Sequence, residues 1–250
     1  VLEASTRLNS PVILMCGPGE FPLLPPAVMG AIARALAKPF SIPAALHLDH
    51  GDSLPQVQEC LSAGFSSVML DFSTRPFNEN AEALRHVVSM ARPHGATVEG
   101  EIGSVGKVDQ TSIEGGGAST LTDPEEAKAY VEATGVDALA VSIGNAHGLY
   151  TRLPQFDFAR LKAIRDRVNV PLVLHGGSGT PDDDLNKAIA LGMAKVNVAS
   201  ELIHTFRESL QRQWNVGENK WTPGALAVAK QTMAPVLEKW IRRLGAAGMA

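Results

Sequence analysis

Short apolar runs alternate with amphipathic segments along the whole chain, and this alternation constrains the fold more than any other feature. The runs are rich in Val, Ile and Leu and apolar on both faces, which is typical of parallel strands covered by helices. Helical patterns between them begin at Ser53, at a capping box over 122–125 and at Asp157. The predicted strands are 11–16, 43–48, 66–72, 97–102, 138–143, 170–175 and 195–199.

Strand and helix in strict alternation predict an α/β fold, specifically a (β/α)8 TIM barrel. Seven strands are recognisable, and residues 1–5 resemble the second half of a helix. We therefore expect a single barrel domain over 1–250 that is N-terminally incomplete, with the first strand missing. A doubly wound sheet is the alternative, but it gathers functional residues at one switch point, whereas here they follow nearly every strand.

Composition argues against several partners. The formal net charge is -4 and the basic residues are dispersed, so neither nucleic acid nor an anionic membrane is an expected partner. No apolar stretch approaches the roughly 20 residues of a membrane span. Cys16 and Cys60 are the only cysteines, too few for a disulfide framework and without metal-ligand spacing, so a reducing, cytoplasmic location is expected.

Three histidines, His50, His147 and His175, lie at or just past the ends of predicted strands. Since the carboxyl ends of parallel strands meet at one face of a barrel, these imidazoles are expected to converge. Three neutral imidazoles with an open fourth position predict a catalytic zinc site. The alternative is that the histidines are unrelated and that His50 is a solvated loop residue.

Carboxylates accompany the histidines. Asp49 precedes His50 and can shuttle a proton to a substrate oxygen, or it can cap the following turn. Glu99 and Glu101 share one face of a strand, where one of them can bind or orient the metal. The alternative for these glutamates is a buried ion pair with a lysine or arginine. Asp71 ends a strand and can reach the same face or cap a turn.

A phosphate site is predicted after the last two strands. Gly176, Gly177 and Ser178 follow His175, and the segment 197–200 opens a helix. Glycine lets backbone N–H groups approach an oxyanion, and barrels commonly bind phosphate at this place.

Five ordered motifs resemble a known family: 47–50 (HLDH), 99–103 (EGEIG), 146–148 (AHG), 175–179 (HGGSG) and 197–200 (NVAS). They are similar to the class II, zinc-dependent ketose-bisphosphate aldolases, and most of all to the tagatose-bisphosphate branch. The resemblance implies an eight-stranded barrel and reversible cleavage of a ketose (bis)phosphate through a zinc-stabilised enediolate. The products that the resemblance implies are dihydroxyacetone phosphate and an aldehyde. The resemblance also implies a homodimer or homotetramer.

The resemblance assigns a role to each matching residue. Asp49 moves the proton of the aldol hydroxyl, and one catalytic zinc ion is held by three histidines. Glu101 corresponds to an alternative metal position and Asp71 to a residue associated with a second cation. The zinc ligands are His50, His147 and His175. The positions that hold the phosphate are Gly148, Gly176, Ser178 and Ser200, and Asn197 contacts the reacting carbons. Gly177 and Ala199 complete the phosphate site predicted above from the glycines and the helix start.

Three positions depart from the family pattern. Asp109 stands where a glutamate usually moves the second proton, and Arg75 is a candidate for an anionic group at the far end of the substrate. The segment 236–239 lacks the arginine expected for a distal phosphate. The expected substrate is therefore tagatose or fructose 1,6-bisphosphate, or a ketose 1-phosphate with some other polar end. A metal-dependent barrel hydrolase, which would usually carry a His-x-His pair, and a phosphate-binding barrel without metal are the rival hypotheses.

Overall fold

The computed structural model describes residues 1–108, 119–150, 152–215 and 221–250. Seven strands form one parallel sheet, and two short strands pair beside it. The sheet contains β1 (Val12–Cys16), β2 (Ala44–Gly51), β3 (Ser67–Leu70), β4 (Thr97–Ile102), β6 (Ala138–Val141), β8 (Leu172–Leu174) and β9 (Met193–Val196), and the short pair is β5 (Gly106–Lys107) with β7 (Ala146–His147).

Helices cover the sheet between the strands. After each main strand the chain enters a helix before the next main strand or the C-terminal region, with β5 lying between β4 and its helix and β7 between β6 and its helix. The helices are α1 (Leu2–Arg7), α2 (Pro26–Ala37), α3 (Leu54–Ser62), α4 (Phe77–Ala91), α5 (Pro124–Thr134), α6 (Phe158–Arg165), α7 (Asp182–Ala190), α8 (Ser200–Asn215) and α9 (Thr222–Arg243), with a 3-10 turn at Arg92–His94.

The seven strands of the sheet lie side by side in chain order, β1-β2-β3-β4-β6-β8-β9, and every pair is parallel. A doubly wound sheet reverses its order at a switch point. Among the described strands no reversal occurs, so the predicted α/β barrel is the observed architecture, with seven strands in the sheet.

The two faces of the sheet differ in chemistry. Outward residues such as Leu48, Leu139 and Leu172 are fully buried against the helices in the hydrophobic core. The inner face carries polar side chains, among them His47 on β2 and Glu99 on β4. The expectation of strands apolar on both faces is therefore wrong for the inner face, where charged groups are buried because they pair with one another.

Helix caps follow the predictions in part. Asp157 caps α6 by accepting from the N–H of Arg160 at 2.9 Å, as predicted. The capping box is wrong: Asp123, not Thr122, caps α5, and the Thr122 hydroxyl instead accepts from the Ser142 N–H at 2.8 Å. Ser53 occupies the cap position of α3 without a side-chain hydrogen bond to the helix.

The C-terminal helix α9 packs against α8, α1 and α7. Arg7 and Glu238 form an ion pair at 2.7 Å, and Glu3 and Lys230 form another at 2.8 Å. These contacts fix α9 against helices from both ends of the chain. Within the ranges described, none of the helices is long and apolar enough to cross a membrane.

Candidate active site

A local irregularity at the end of β2 turns two consecutive side chains toward the same space. Leu48 pairs with Val68 and Gly51 with Leu70, so β2 carries one extra residue relative to β3. His50 within this bulge has φ +48°, a left-handed conformation that is rare outside glycine. Bulges and such strained residues commonly re-aim functional side chains. The bulge here lets both Asp49 and His50 face the barrel mouth.

The three predicted histidines converge. Their ring centroids lie 4.6 Å apart for His50 and His175, 4.9 Å for His50 and His147, and 5.6 Å for His147 and His175. The rings are nearly perpendicular in pairs, and the three ligand atoms lie within 4.8 Å of one another. The predicted convergence at the carboxyl ends of the strands is thus observed.

Carboxylates fix which nitrogen of His50 and of His175 faces the common centre. The Nδ1 atom of His50 lies 2.7 Å from Asp71 Oδ2, which leaves Nε2 of His50 facing His175 Nδ1 at 2.9 Å. The Nε2 atom of His175 lies 2.9 Å from Glu99 Oε1. Such outer carboxylates set the tautomer and ring orientation of histidines that bind metals.

Charges around the rings favour a cation at their centre. Burial would lower the pKa of His50, but its hydrogen bond to Asp71 and the charges of Asp49 and Glu101 raise that pKa to about 10. Burial lowers the pKa of His175 to about 4, so this imidazole is neutral at pH 7. The carboxylates that favour a proton on His50 also favour a divalent cation at this place, because both put positive charge among the same negative groups.

The three histidines fit a divalent metal ion. Two nitrogens bound to one tetrahedral zinc, each about 2.0–2.1 Å from it, lie about 3.3 Å apart. The observed 2.9 Å between His50 Nε2 and His175 Nδ1 is close to that separation. Glu101 lies beside them, with Oε2 at 3.6 Å from His175 Nδ1 and without a hydrogen-bond partner among the described residues.

Two further groups of side chains have metal-ligand spacing. His47, Asp49 and Glu99 form one group, but the ammonium of Lys195 already lies 2.9 Å from Glu99 Oε2 and supplies positive charge there. His50, Asp71 and Glu101 form the other and share a ligand with the histidine triad. Asp71 also accepts from the N–H and hydroxyl of Ser73, at 3.1 and 2.7 Å. Glu101 and Asp71 as ligands of a second cation stay predictions.

Asp49 is held as a buried, ionised carboxylate beside the histidines. Asn197 Nδ2 donates to Asp49 Oδ1 at 3.0 Å, while Asp49 Oδ2 is buried without a hydrogen-bond partner in the described part of the chain. Burial would raise the pKa of Asp49, but its contact with His47 and the charges of His50, His175 and Lys195 bring it well below its usual range. Asp49 is therefore ionised at pH 7 and presents one oxygen without a hydrogen-bond partner among the described residues.

The predicted phosphate loop lies against the start of α8. The Ser178 hydroxyl accepts from the Glu201 N–H at 3.2 Å, and the Gly177 N–H donates to the Asn197 carbonyl at 2.9 Å. This bond engages the Gly177 N–H, so Gly177 serves close packing of the two segments rather than donation to an anion. Ser200 is the first residue of α8, directly after Ala199, which places both at the helix N-terminus favoured by anions.

Two glycines of this region have left-handed backbone. Gly176 has φ +67° and Gly148 has φ +114°. A Cβ atom on Gly176 would overlap the carbonyl oxygen of Ala146, because the backbones after β6 and β8 touch there. The predicted phosphate contacts of Gly148 and Gly176 stay untested, but the requirement for glycine at position 176 is structural.

Other predicted residues are less closely tied to the centre. The Arg75 side chain is 58% exposed, lies 3.8 Å from Glu79 and stacks over the Phe72 ring, so an anionic substrate group would compete with Glu79 for it. Asp109 lies outside the described residues.

Sequence reasoning missed Lys195 as a partner of the site. It predicted that Glu99 either orients the metal or pairs with a basic residue, and the structure shows both contacts at once. Lys195 lies on β9 and Asn197 directly follows that strand two residues later, so alternation along the chain places both side chains on the inner face. The two-residue spacing of Lys195 and Asn197 was the sequence signal that could have identified Lys195 as a partner of the site.

Removing the charge of Lys195 is expected to destabilise the protein. Lys195→Met would leave Glu99 buried without its strongest cationic neighbour, and breaking a buried pair costs about 3 kcal/mol or more of unfolding free energy. Denaturant unfolding at pH 7 measures the loss.

The matched control is Lys162→Met, which breaks an exposed pair with Asp166. Exposed pairs contribute about 1 kcal/mol or less, so this variant should stay close to wild type. A double change, Glu99→Gln with Lys195→Met, should recover part of the loss because no charge is then buried alone. Equal losses of unfolding free energy in Lys195→Met and Lys162→Met would mean that the buried pair stabilises the protein no more than the exposed pair does.

Comparisons with known proteins agree with this geometry. A family model described as "Fructose-bisphosphate aldolase class-II" matches residues 1–249. The crystal structure of the YdjI aldolase from Escherichia coli K12 is 30% identical over 100% of this chain and 87% of that chain, with a TM-score of 0.84. A candidate fructose-1,6-bisphosphate aldolase from Coccidioides immitis is 27% identical over 99% and 87% of the two chains, with a TM-score of 0.88.

A third structure supports the fold alone. Fructose-bisphosphate aldolase from Campylobacter jejuni is 23% identical, with 98% of this chain and 86% of that chain covered and a TM-score of 0.81. The family model spans nearly the whole chain. The chain therefore belongs to the class II fructose-bisphosphate aldolase family of metal-dependent lyases.

Proposed function

We propose that the chain cleaves a ketose phosphate reversibly to dihydroxyacetone phosphate and an aldehyde, with tagatose or fructose 1,6-bisphosphate as the preferred substrate. The observation that carries this proposal is the buried Asp49 carboxylate beside three converging imidazoles. Carbon–carbon cleavage needs both a base for the hydroxyl proton and stabilisation of the charge left on the other fragment. These side chains supply the first and can hold the ion that supplies the second.

A divalent ion held by His50, His147 and His175 would act as a Lewis acid on the substrate carbonyl and favour the charge that develops on cleavage. Asp49 is placed to take the proton of the substrate hydroxyl through Oδ2, the oxygen that Asn197 leaves unoccupied. Since the pKa of Asp49 is low, a proton that it has taken is returned readily in the direction of synthesis.

The phosphate of the dihydroxyacetone phosphate half is assigned to the loop after β8 and the start of α8. The Ser178 hydroxyl bonds the Glu201 N–H in the first turn of α8, so the loop lies against the N-terminus of this helix, and helix N-termini favour negative charge. Asn197 links the proton acceptor to the phosphate loop, because its side chain donates to Asp49 while its carbonyl accepts from the Gly177 N–H. Zinc as the ion and a cytoplasmic homodimer or homotetramer are parts of the same proposal.

The far end of the substrate is less defined by these contacts. A ketose 1-phosphate with an uncharged end is the second candidate, and the lack of an arginine in 236–239 favours it. The exposed Arg75, which lies 3.8 Å from Glu79, is the candidate contact for a distal phosphate. A bisphosphate substrate would gain binding affinity from Arg75 only if its distal phosphate bound this arginine more strongly than Glu79 does.

The test is a cleavage screen of tagatose and fructose 1,6-bisphosphates and the matching 1-phosphates, with triose phosphate release coupled to NADH oxidation. Triose phosphate that is lost with chelator and returns with zinc or cobalt supports the proposal. Hydrolysis of esters without triose phosphate release from any ketose phosphate would favour a barrel hydrolase instead. Metal analysis and size-exclusion chromatography examine the ion and the assembly.

A further inference from the structure

The loops that follow β6 and β8 each carry one of the candidate metal ligands, and they touch through their backbones. We call 144–150, which contains His147, the β6 loop, and 175–180, which contains His175, the β8 loop. The close approach of Gly176 to the Ala146 carbonyl makes the contact. The relative position of the two loops therefore decides the distance between two metal ligands.

One side chain bonds both loops at once. The Tyr150 hydroxyl accepts from the Ala146 N–H at 2.9 Å and donates to the Gly176 carbonyl at 3.1 Å. Ala146 directly precedes His147, and Gly176 directly follows His175. Burial raises the pKa of Tyr150, so its hydroxyl keeps the proton that it donates.

A second residue fastens the same loops at a deeper position. Asn145 Nδ2 donates to the His175 carbonyl at 3.0 Å, and Asn145 Oδ1 accepts from the Ile143 N–H at 2.9 Å. Asn145 is buried, whereas Tyr150 is partly exposed at the mouth. The two contacts hold adjacent carbonyls of the β8 loop, with Asn145 bonded to His175 and Tyr150 bonded to Gly176.

We infer that Tyr150 is a positioning residue, whose hydroxyl sets the spacing of His147 and His175 and thereby couples the metal site to the phosphate loop. The inference rests on the proposed function, because it assumes that these histidines hold a metal. Tyr150 does not act on substrate in this role, since its proton and an acceptor lone pair are both engaged by backbone groups. Tyr150 affects cleavage only by positioning the β6 loop relative to the β8 loop.

The test compares Tyr150→Phe with Tyr130→Phe, which is a matched control because these are the only tyrosines of the chain. Tyr130 is fully buried and donates to Asn80 Oδ1 at 2.9 Å, so both variants lose one hydrogen-bonded hydroxyl. Zinc affinity is measured by competition with a chelating dye. Changes behind metal ligands typically weaken metal affinity 10- to 100-fold, and we expect about tenfold for Tyr150→Phe and no change for Tyr130→Phe.

Fluorine NMR gives a second readout that needs no folded Tyr150 variant. Wild type labelled with 3-fluorotyrosine should give two resonances, and Tyr130→Phe identifies the one from Tyr150. Zinc should shift the Tyr150 resonance, and inorganic phosphate should shift it again in the zinc-loaded protein.

The outcomes distinguish a failure of the proposed function from a failure of the positioning role of Tyr150. Wild type that binds no divalent metal would overturn the proposed function and this role together. Metal-binding wild type with equal zinc affinity in Tyr150→Phe, or a Tyr150 resonance that zinc leaves in place, would overturn the positioning role and leave the proposed function standing. Equal weakening in both tyrosine variants would mean a general loss of rigidity, which also overturns it.

Discussion

Asp49→Ala is expected to lower turnover about 1,000-fold, while the protein still binds one divalent ion per chain. A positioned general acid or base contributes about 10²- to 10⁴-fold. Asp49 is buried at the centre of the site with one oxygen fixed by Asn197 and the other without a hydrogen-bond partner among the described residues. The three imidazoles remain in place in this variant, so metal content by elemental analysis should match wild type.

Asp52→Ala is the matched control for this experiment, because Asp52 is exposed and lies three residues further along the chain. It should keep wild-type turnover. Asp49→Asn should be nearly as slow as Asp49→Ala, since an amide preserves the shape but cannot accept the proton at neutral pH. Near wild-type cleavage by either Asp49 variant would remove Asp49 from the role of base.

The convergence of the histidines could be predicted from sequence because it depends on topology alone. Parallel strands in a barrel all end at the same face, so any side chain at a strand end is brought to one region whatever the details of packing. His50, His147 and His175 illustrate this: each was placed by counting from an apolar run, and the rings lie within 5.6 Å of one another.

The orientation of those rings could not be predicted in the same way. The left-handed backbone of His50 arises from the extra residue in β2, and no residue type in that segment signals such a bulge. The contacts of His175 with Glu99, and of Glu99 with Lys195, join three strands across the inner face. Pairings of this kind depend on strand register and on the tilt of the barrel, which a local pattern does not encode.

The predicted cap of α5 failed because a competing partner takes the capping side chain. Thr122 has the residue type of a cap, but its hydroxyl bonds backbone groups of Ile102 and Ser142, and the neighbouring Asp123 caps α5 instead. A partner that is close in space but distant in sequence thus decides which side chain caps the helix. Arg75 as a ligand of a distal anion stays a prediction, and in the structure its side chain lies 3.8 Å from Glu79.

Removal of the divalent ion is expected to abolish cleavage, with at least a thousandfold loss that zinc or cobalt restores. Lewis-acid stabilisation of developing charge is worth several kcal/mol, and about 4 kcal/mol corresponds to about a thousandfold in rate. The carboxylates around His50 cannot replace this effect, because they add negative charge to a reaction that already generates it. Initial rates after chelation, and again after metal is added back, measure the change.

His175→Ala is also expected to lose cleavage, because it removes one metal ligand and leaves Glu99 without its imidazole partner. Added zinc should not restore its turnover and should not raise its unfolding midpoint, whereas in wild type a hundredfold excess of ion over its dissociation constant adds about 2.7 kcal/mol of stability. His204→Ala is the control, since His204 lies on the exposed side of α8 and pairs with Glu208. A chelated protein that still cleaves ketose phosphates at the wild-type rate would refute the metal's role and require a different source of charge stabilisation.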